Sequence, residues 1–474
     1  MMHPSETTTA VRTPPRPAAP TRLPLWAPAA SQPAGAPPAP AARAAMSRSA
    51  ASSTGSSRAA ARPRPEPLRL VRYRPRPGHA DVARLADEAR ALADALAPGL
   101  DAPESSSALV ARRARSSLTA AQNYVHNRAL ARRGREDFRP LTFIWTLLRS
   151  CNFSCSYCDD HRGHKYPDLP NDGVLDTAQG LELLRIMRTR TPSLYFAGGE
   201  PLMRRDLPRL TRAARDLAFH PIIVNTNASA VDRVLRLPAW KSWLADTDIV
   251  VVSLDGLDLA NLRELYAYGR PEEVVRNLLL LRELAPSQHV KLMVNCVIQP
   301  GRLEDARDVL DLCADLGVWF CPVPMNVGPR MHDALRRDPA YQALAALILA
   351  RKREGQLVTG SLRLLERLLG GAPLDCRNTL KPHVDFDGRL YWPCKACVNV
   401  EPERIRVLDF PDVDSLYAHA CRVVSPTGFH GPARNQCGAE CNWAQNYTTD
   451  AYAHGLTHTG AILAEVVEFL RGGR

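Results

Sequence analysis

Six short apolar runs mark the middle of the chain: "LTFIWTLL" from 141, "SLYFAGGEP" from 193, "PIIVNTN" from 221, "DIVVVSLDG" from 248, "VKLMVNCVI" from 290 and "VWFCPVP" from 318. Amphipathic stretches separate them at 177–190, 206–219, 229–245, 271–285 and 303–316, each expected to be a helix. Asp176, Asp206 and Pro271 suit helix starts and Gly317 a helix stop. Strands that are apolar throughout, alternating with helices, predict a parallel sheet covered by helices. Six such units fit an α/β architecture, a partial (β/α)6 TIM-like barrel, over residues 140–330. The polar residues Glu200, Asn225, Thr226, Asn227, Ser253, Asp255 and Asn295 close these runs, so they gather on one rim, where such folds bind ligands.

The flanks read differently. Residues 1–66 are Pro, Ala, Ser and Arg with almost no acid, too little apolar surface to offset ordering entropy, and are expected to be a disordered leader. Its composition is that of a transit peptide, and the alternative is a leader without function, with Met46 as a second possible start. Residues 67–139 form a helical extension: Val82, Leu85, Ala89, Leu92 and Leu96 share one face, and 106–134 continue as an Ala/Arg-rich helix. Residues 331–371 form a helical connector, and 456–474 a terminal helix. Residues 372–455 hold six cysteines and a hairpin-like "HVDFDGRLYWPC", and read as a small cysteine-rich α+β module.

Charge changes the picture less than its total suggests. Over residues 1–65, eight arginines against Glu6 alone give +7 of the chain's +12. The remaining +5 makes the folded part mildly basic, so nucleic acid is a weak partner for it. The chain contains no apolar run long enough to span a membrane. It also lacks a signal-peptide core, so clustered cysteines point to metal or redox chemistry rather than to disulfides.

The sharpest motif is "RSCNFSCSYCDD", which sets Cys151, Cys155 and Cys158 in CxxxCxxC spacing on the loop after the first strand. Thiolates hold iron–sulfur clusters, and three on a four-iron cluster leave one iron open to a small molecule. Zinc in a structural site takes four protein ligands, and only His161 and His164 lie near.

With an aromatic before the third cysteine and a strand-ending GGEP about forty residues on, the segment 140–325 resembles the radical S-adenosylmethionine (SAM) superfamily. The resemblance implies a [4Fe-4S] cluster on Cys151, Cys155 and Cys158, with SAM on its open iron. One electron then cleaves SAM to methionine and a 5′-deoxyadenosyl radical that takes hydrogen from substrate. It implies further that Tyr157 flanks the adenine, that Gly198 and Gly199 admit close backbone approach, and that Glu200 accepts from the SAM ammonium. Ser253 would contact ribose or carboxylate, and Asn225 and Thr226 would face SAM or substrate. An electron donor such as flavodoxin or ferredoxin and a reducing cytoplasm come with it. "FAGGEPLMRRDLPRL" also resembles the cyclase of molybdenum cofactor biosynthesis, but that family ends in a double glycine and here Arg474 follows Gly472 and Gly473.

The later cysteines resemble the SPASM/twitch auxiliary-cluster modules. That resemblance implies one auxiliary [4Fe-4S] cluster on Cys376, Cys394, Cys437 and Cys441, with Cys397 a rival ligand; zinc is the other metal such thiolates accept. Cys296, Cys313 and Cys421 are expected to pack, and Cys321 either packs or gives hydrogen to a substrate radical. Asp159 and His161 are outside candidates for substrate contact. The substrate is a small molecule or a peptide. The extension lacks a winged-helix pattern, which favours a small molecule. The competing reading is a zinc-binding interaction protein with a basic nucleic-acid-binding tail.

Overall fold

The computed structural model describes residues 65–158, 168, 171–395, 404–429, 441–458 and 460–462. Residues 1–64 of the leader, Asp159, His161, His164, Cys397, Cys437 and most of the expected terminal helix lie outside them.

The apolar runs form β1 (Thr142–Thr146), β2 (Ser193–Ala197), β3 (Ile222–Thr226), β4 (Ile249–Ser253), β5 (Lys291–Ile298) and β6 (Trp319–Pro324). They pair in chain order, every neighbour parallel. The helices are α1 (Val82–Leu96), α2 (Ser106–Arg132), α3 (Thr177–Arg188), α4 (Leu207–Asp216), α5 (Val231–Val234), α6 (Leu259–Tyr266), α7 (Glu272–Gln288) and α8 (Leu303–Leu316). The chemistry of the ends explains several of them. Asp176 and Gln179 close a capping box on α3, and Gly317 takes the left-handed conformation that stops α8. The long helix expected over 229–245 is not there. Only α5 forms, because Pro238 offers no N–H to a continuing helix and opens a short 3₁₀ turn instead. The sequence pattern left α6 unassigned, although Asp258 caps it through Asn261 N at 2.8 Å.

Strand alternation shows which way the sheet curls. On β5 the residues Leu292, Val294, Cys296 and Ile298 are buried against helices, while Lys291, Met293, Asn295 and Val297 are partly accessible. The same alternation runs along β2 and β3. Tyr195 on β2 and Cys321 on β6 nonetheless stand within electrostatic reach of each other, so the sheet curves around a lumen. This is the expected partial barrel, and alternate residues of β2, β3 and β5 on its inner face stay partly accessible.

Beyond the barrel come β7 (Asn326–Val327), β8 (Arg330–Met331), α9 (Asp333–Arg337), α10 (Pro339–Arg353), α11 (Leu362–Leu369), β9 (His383–Val384), β10 (Leu390–Tyr391), α12 (Val413–Val423) and α13 (Tyr447–Thr457). The expected hairpin is β9–β10, antiparallel, and it is not detached. Strand β9 pairs in parallel with β1 through Ile144 and Trp145, so the sheet runs β10-β9-β1-β2-β3-β4-β5-β6.

The N-terminal extension holds the other end of the barrel. Apolar α1 packs on α7. In contrast, α2 presents the buried polar face Arg112, Ser116, Asn123 and Asn127. These side chains donate to backbone carbonyls that precede the strands: Ser116 to Pro192 and His220, Asn123 to Pro140 and Arg190, Asn127 to Arg139. Buried carbonyls need partners, and this helix supplies them where no ladder does.

Arg112 is the anchor. Its guanidinium grips Asp248 through two bonds of 2.8 and 2.7 Å and donates to Glu104 at 2.9 Å and to Phe219 O at 2.8 Å. Arg112→Ala strands a nearly buried carboxylate, and urea unfolding should show a loss of about 3–5 kcal/mol. Burial pushes the Asp248 carboxyl up, but Arg112 and His220 outweigh it and hold the group below its ordinary 3.8. The stability this gives is present above pH 3.8, the unfolded value, and is lost as pH falls below it. The variant should therefore lose part of the wild-type drop in stability in strong acid.

Candidate active site at the strand ends

The cysteine loop leaves the end of β1 and is fastened along its whole length. Leu147 N donates to Ala197 O at 2.9 Å, Gly199 N to Leu148 O at 2.8 Å and Glu200 N to Ser150 O at 2.9 Å. The glycine segment after β2 is thus zipped to the residues just before Cys151. Gly198 adopts φ +141°, and an added Cβ there would stand 2.5 Å from Leu148 O. A Cβ on Gly199 would overlap the carbonyl oxygens of Ser150 and Arg149. Only glycine permits this approach.

Further along, Phe153 stacks between Tyr266 and Tyr268 at centroid distances of 5.0 and 4.5 Å. Asn152 donates to Ser229 Oγ at 2.8 Å and accepts from Asn227 Nδ2 at 2.9 Å. Asn227 Nδ2 also approaches Cys151 Sγ at 3.8 Å, and Phe153 N does so at 3.4 Å. Tyr157 donates to Asp255 Oδ2 at 2.5 Å, and Asp255 Oδ1 accepts from Val297 N at 2.7 Å, which ties the loop to β5. Arg149 donates to Asp385 Oδ2 at 2.8 Å and lies 4.4 Å over the Phe386 ring, which ties the loop to the turn of the β9–β10 hairpin.

Cys151, Cys155 and Cys158 are in no disulfide, and each is partly accessible. Burial, then the Glu200 carboxylate, pushes Cys151 up to about 12, and Cys158 adds to the rise. Burial raises Cys155 as well, followed by Cys158, Asp255 and Cys151. The three thiols thus feel one another. Among the described residues no group of three or more His, Cys, Asp or Glu side chains stands where it could hold a metal ion. A four-iron cluster places each thiolate on a different iron, which suits three thiols spread along one loop. The donor set and the glycine cradle beside it therefore fit a cluster with a small molecule alongside.

The remaining expected site residues divide by strand face. Asn225 and Ser253 lie on the lumen side, and among the described residues the buried Asn225 Oδ1 has no hydrogen-bond partner. Thr226 does not face the lumen with Asn225, because successive residues of a strand point to opposite faces. It is 1% exposed, and its hydroxyl donates to Glu200 Oε1 at 2.7 Å. Glu200 is equally buried and also accepts from Leu202 N at 2.9 Å and from Asn227 N at 2.7 Å. Oε1 thus takes two of these bonds and Oε2 one. Burial pushes its carboxyl up to about 7 against these bonds, which lower it.

Cys376, Cys394 and Cys441 are buried together with Leu374, Trp443 and Tyr447, apart from the main core. Asn446 Nδ2 points at Cys394 Sγ at 3.9 Å. Cys296 and Cys313 are fully buried in the main core, and Cys421 on α12 packs half-buried against it. Asn152, Phe153, Arg149 and Asp385 carried no role in the sequence reading. The signal for the first two was their place between the cysteines; the last pair meets across more than two hundred residues and left none.

Residues 145–313 match the family model described as Radical SAM superfamily. The match spans the segment from β1 to α8 and is a similarity to that superfamily over about a third of the chain. The Fe-coproporphyrin III synthase of Methanosarcina barkeri is 28% identical over 225 residues, covering 46% of this chain and 53% of that protein. A probable GTP 3′,8-cyclase of Saccharolobus solfataricus is 25% identical over 277 residues, covering 56% of this chain and 84% of that one. Of the former the chain spans about half the length, as it does of several mycobacterial GTP 3′,8-cyclases. Among solved structures, Streptococcus suis SuiB bound to S-adenosylmethionine aligns with a TM-score of 0.48 at 16% identity, covering 67% of this chain and 74% of that one. No helix among the described residues is long and apolar enough to cross a membrane.

Proposed function

We propose that this chain is a radical SAM enzyme acting on a substrate held in the barrel lumen. Cys151, Cys155 and Cys158 would hold a [4Fe-4S] cluster, with SAM beside it. When bound, that pair supplies a 5′-deoxyadenosyl radical able to abstract hydrogen from an unreactive C–H bond. The chain's own residues set the geometry. Gly198 and Gly199 let bare backbone lie against the methionine part of SAM, and Glu200 keeps an acceptor position on Oε2 for its ammonium. Tyr157, held by Asp255, would flank the adenine, and Ser253 and Asn225 would line the floor beside it.

Cys376, Cys394 and Cys441, with Cys437 and the rival Cys397, would hold one auxiliary [4Fe-4S] cluster of the SPASM/twitch kind. Electrons would come from a reduced flavodoxin or ferredoxin in a reducing cytoplasm. A small-molecule substrate is favoured over a peptide. The observation that carries the reading is the backbone zipper between the glycine segment and the three-cysteine loop, which sets a thiol triad beside a surface stripped of side chains.

The test is direct. Anaerobically purified protein, reduced with dithionite and given SAM, should release methionine and 5′-deoxyadenosine. A colourless protein containing zinc, with no SAM cleavage, would sink the proposal in favour of a zinc-binding interaction protein.

A further inference from the structure

The turn after β3 is built around one amide. Asn227 Oδ1 accepts from Ser229 N at 3.0 Å and from Ser229 Oγ at 2.8 Å. A backbone N–H can only donate, so this end of the amide is the oxygen and the other end the nitrogen. Asn227 Nδ2 donates to Asn152 Oδ1 at 2.9 Å, Asn152 Nδ2 donates to Ser229 Oγ at 2.8 Å, and the Ser229 hydroxyl closes the ring onto Asn227. The ring uses one of the two hydrogens on Asn227 Nδ2. The other has Cys151 Sγ before it, 3.8 Å from the nitrogen, and Phe153 N reaches the same sulfur at 3.4 Å.

The backbone is bent to make this arrangement. Ala228 holds φ +57°, in the left-handed region that a Cβ disfavours. The turn keeps it there: Ala228 N donates to Thr226 Oγ1 at 2.9 Å, and Ala228 O accepts from Asn277 Nδ2 at 2.8 Å. Asn227 N is fixed as well, by Glu200 Oε2 at 2.7 Å. Asn227 is 9% exposed, so water competes little for its amide. Strain held in place by several buried bonds points to a geometry with a use. A donor locked in front of a ligand sulfur has a defined one, because hydrogen bonds to the sulfurs help set the potential of an iron–sulfur cluster. Reduction adds one electron, taken from the reduced donor protein, and makes or breaks no bond. The added negative charge strengthens each N–H contact to sulfur, so such a donor favours the reduced form.

We propose that Asn227 raises the reduction potential of the cluster by hydrogen-bonding the Cys151 sulfur, so that a weaker reductant can start the reaction. The proposal rests on the radical SAM reading above. Full-length protein is reconstituted anaerobically, and its reduced-cluster signal is followed by electron paramagnetic resonance through a dithionite redox titration. The variant with alanine at Cys151, Cys155 and Cys158 supplies the background of the proposed auxiliary site. Asn227→Ala should lower the ratio of reduced to oxidised cluster about tenfold at a fixed potential, which is a midpoint about 59 mV more negative. Asn227→Asp keeps the Oδ1 that Ser229 caps, puts a carboxylate oxygen in place of the donor, and should shift the midpoint in the same direction. Ser229→Ala is the control. It opens the ring but leaves Ser229 N on Asn227 Oδ1, and its midpoint should match wild type. No shift in either Asn227 variant, or an equal shift in Ser229→Ala, overturns the tuning role, and so does loss of iron from both Asn227 variants. SAM cleavage by wild type on the same preparation separates the two ideas. Cleavage with unshifted midpoints removes the tuning role alone, and a wild type with no reducible cluster beyond the background removes the radical SAM reading and the tuning role with it.

Discussion

Alanine at Cys151, Cys155 and Cys158 together should yield a folded protein that retains only the iron of the proposed auxiliary site and forms no detectable 5′-deoxyadenosine. The effect is all or none because thiolate ligands account for metal binding on the order of 10 kcal/mol. The fold should survive, since the loop is held by groups other than the thiols. Phe153 remains stacked between Tyr266 and Tyr268, Asn152 remains on Ser229, and Tyr157 remains on Asp255. Iron per chain, circular dichroism and product analysis on one preparation make the comparison. Full iron retention in the triple variant would refute the assignment of these residues as ligands.

Gly199→Ala is the second large effect, and it arises from one methyl group. The new Cβ would overlap the carbonyl oxygens of Ser150 and Arg149, which are backbone and cannot swing aside. Either the zipper between Glu200 N and Ser150 O opens or the cysteine loop shifts bodily. Overpacking of this kind costs about 3 kcal/mol, so SAM affinity should fall by about a hundredfold and thermal unfolding should come several degrees earlier. Gly269→Ala is the control, since a Cβ there meets nothing within 4 Å. Equal SAM binding by the Gly199 variant and wild type, read by equilibrium dialysis, would show that the cradle is not where SAM lies.

The legible parts of this chain are those governed by local pattern. Apolar runs alternating with amphipathic stretches gave six strands in order, and the helix between each pair is the crossover that makes neighbouring strands parallel. The thiol triad and the glycine pair could be read because each is a spacing within one loop. Other features depend on tertiary partners, and the pattern misled there or was silent. Pro238 divided what looked like one helix. Thr226 shares a strand end with Asn225 but turns to the opposite face and holds Glu200. The polar face of α2 carried no role in the sequence reading, since the carbonyls that Ser116 and Asn123 satisfy lie up to 104 residues away.

The β9 strand also has a consequence for how the chain is made. Its partner Ile144 leaves the ribosome 239 residues before His383 does. At synthesis rates of about 5–20 residues per second, the outer edge of β1 waits for roughly 12–50 seconds with its backbone groups unpaired. An apolar strand edge in that state is a template for pairing with other chains. The last strands of the sheet are also its cover, so the nascent barrel is most prone to associate just before its own C-terminal region closes it.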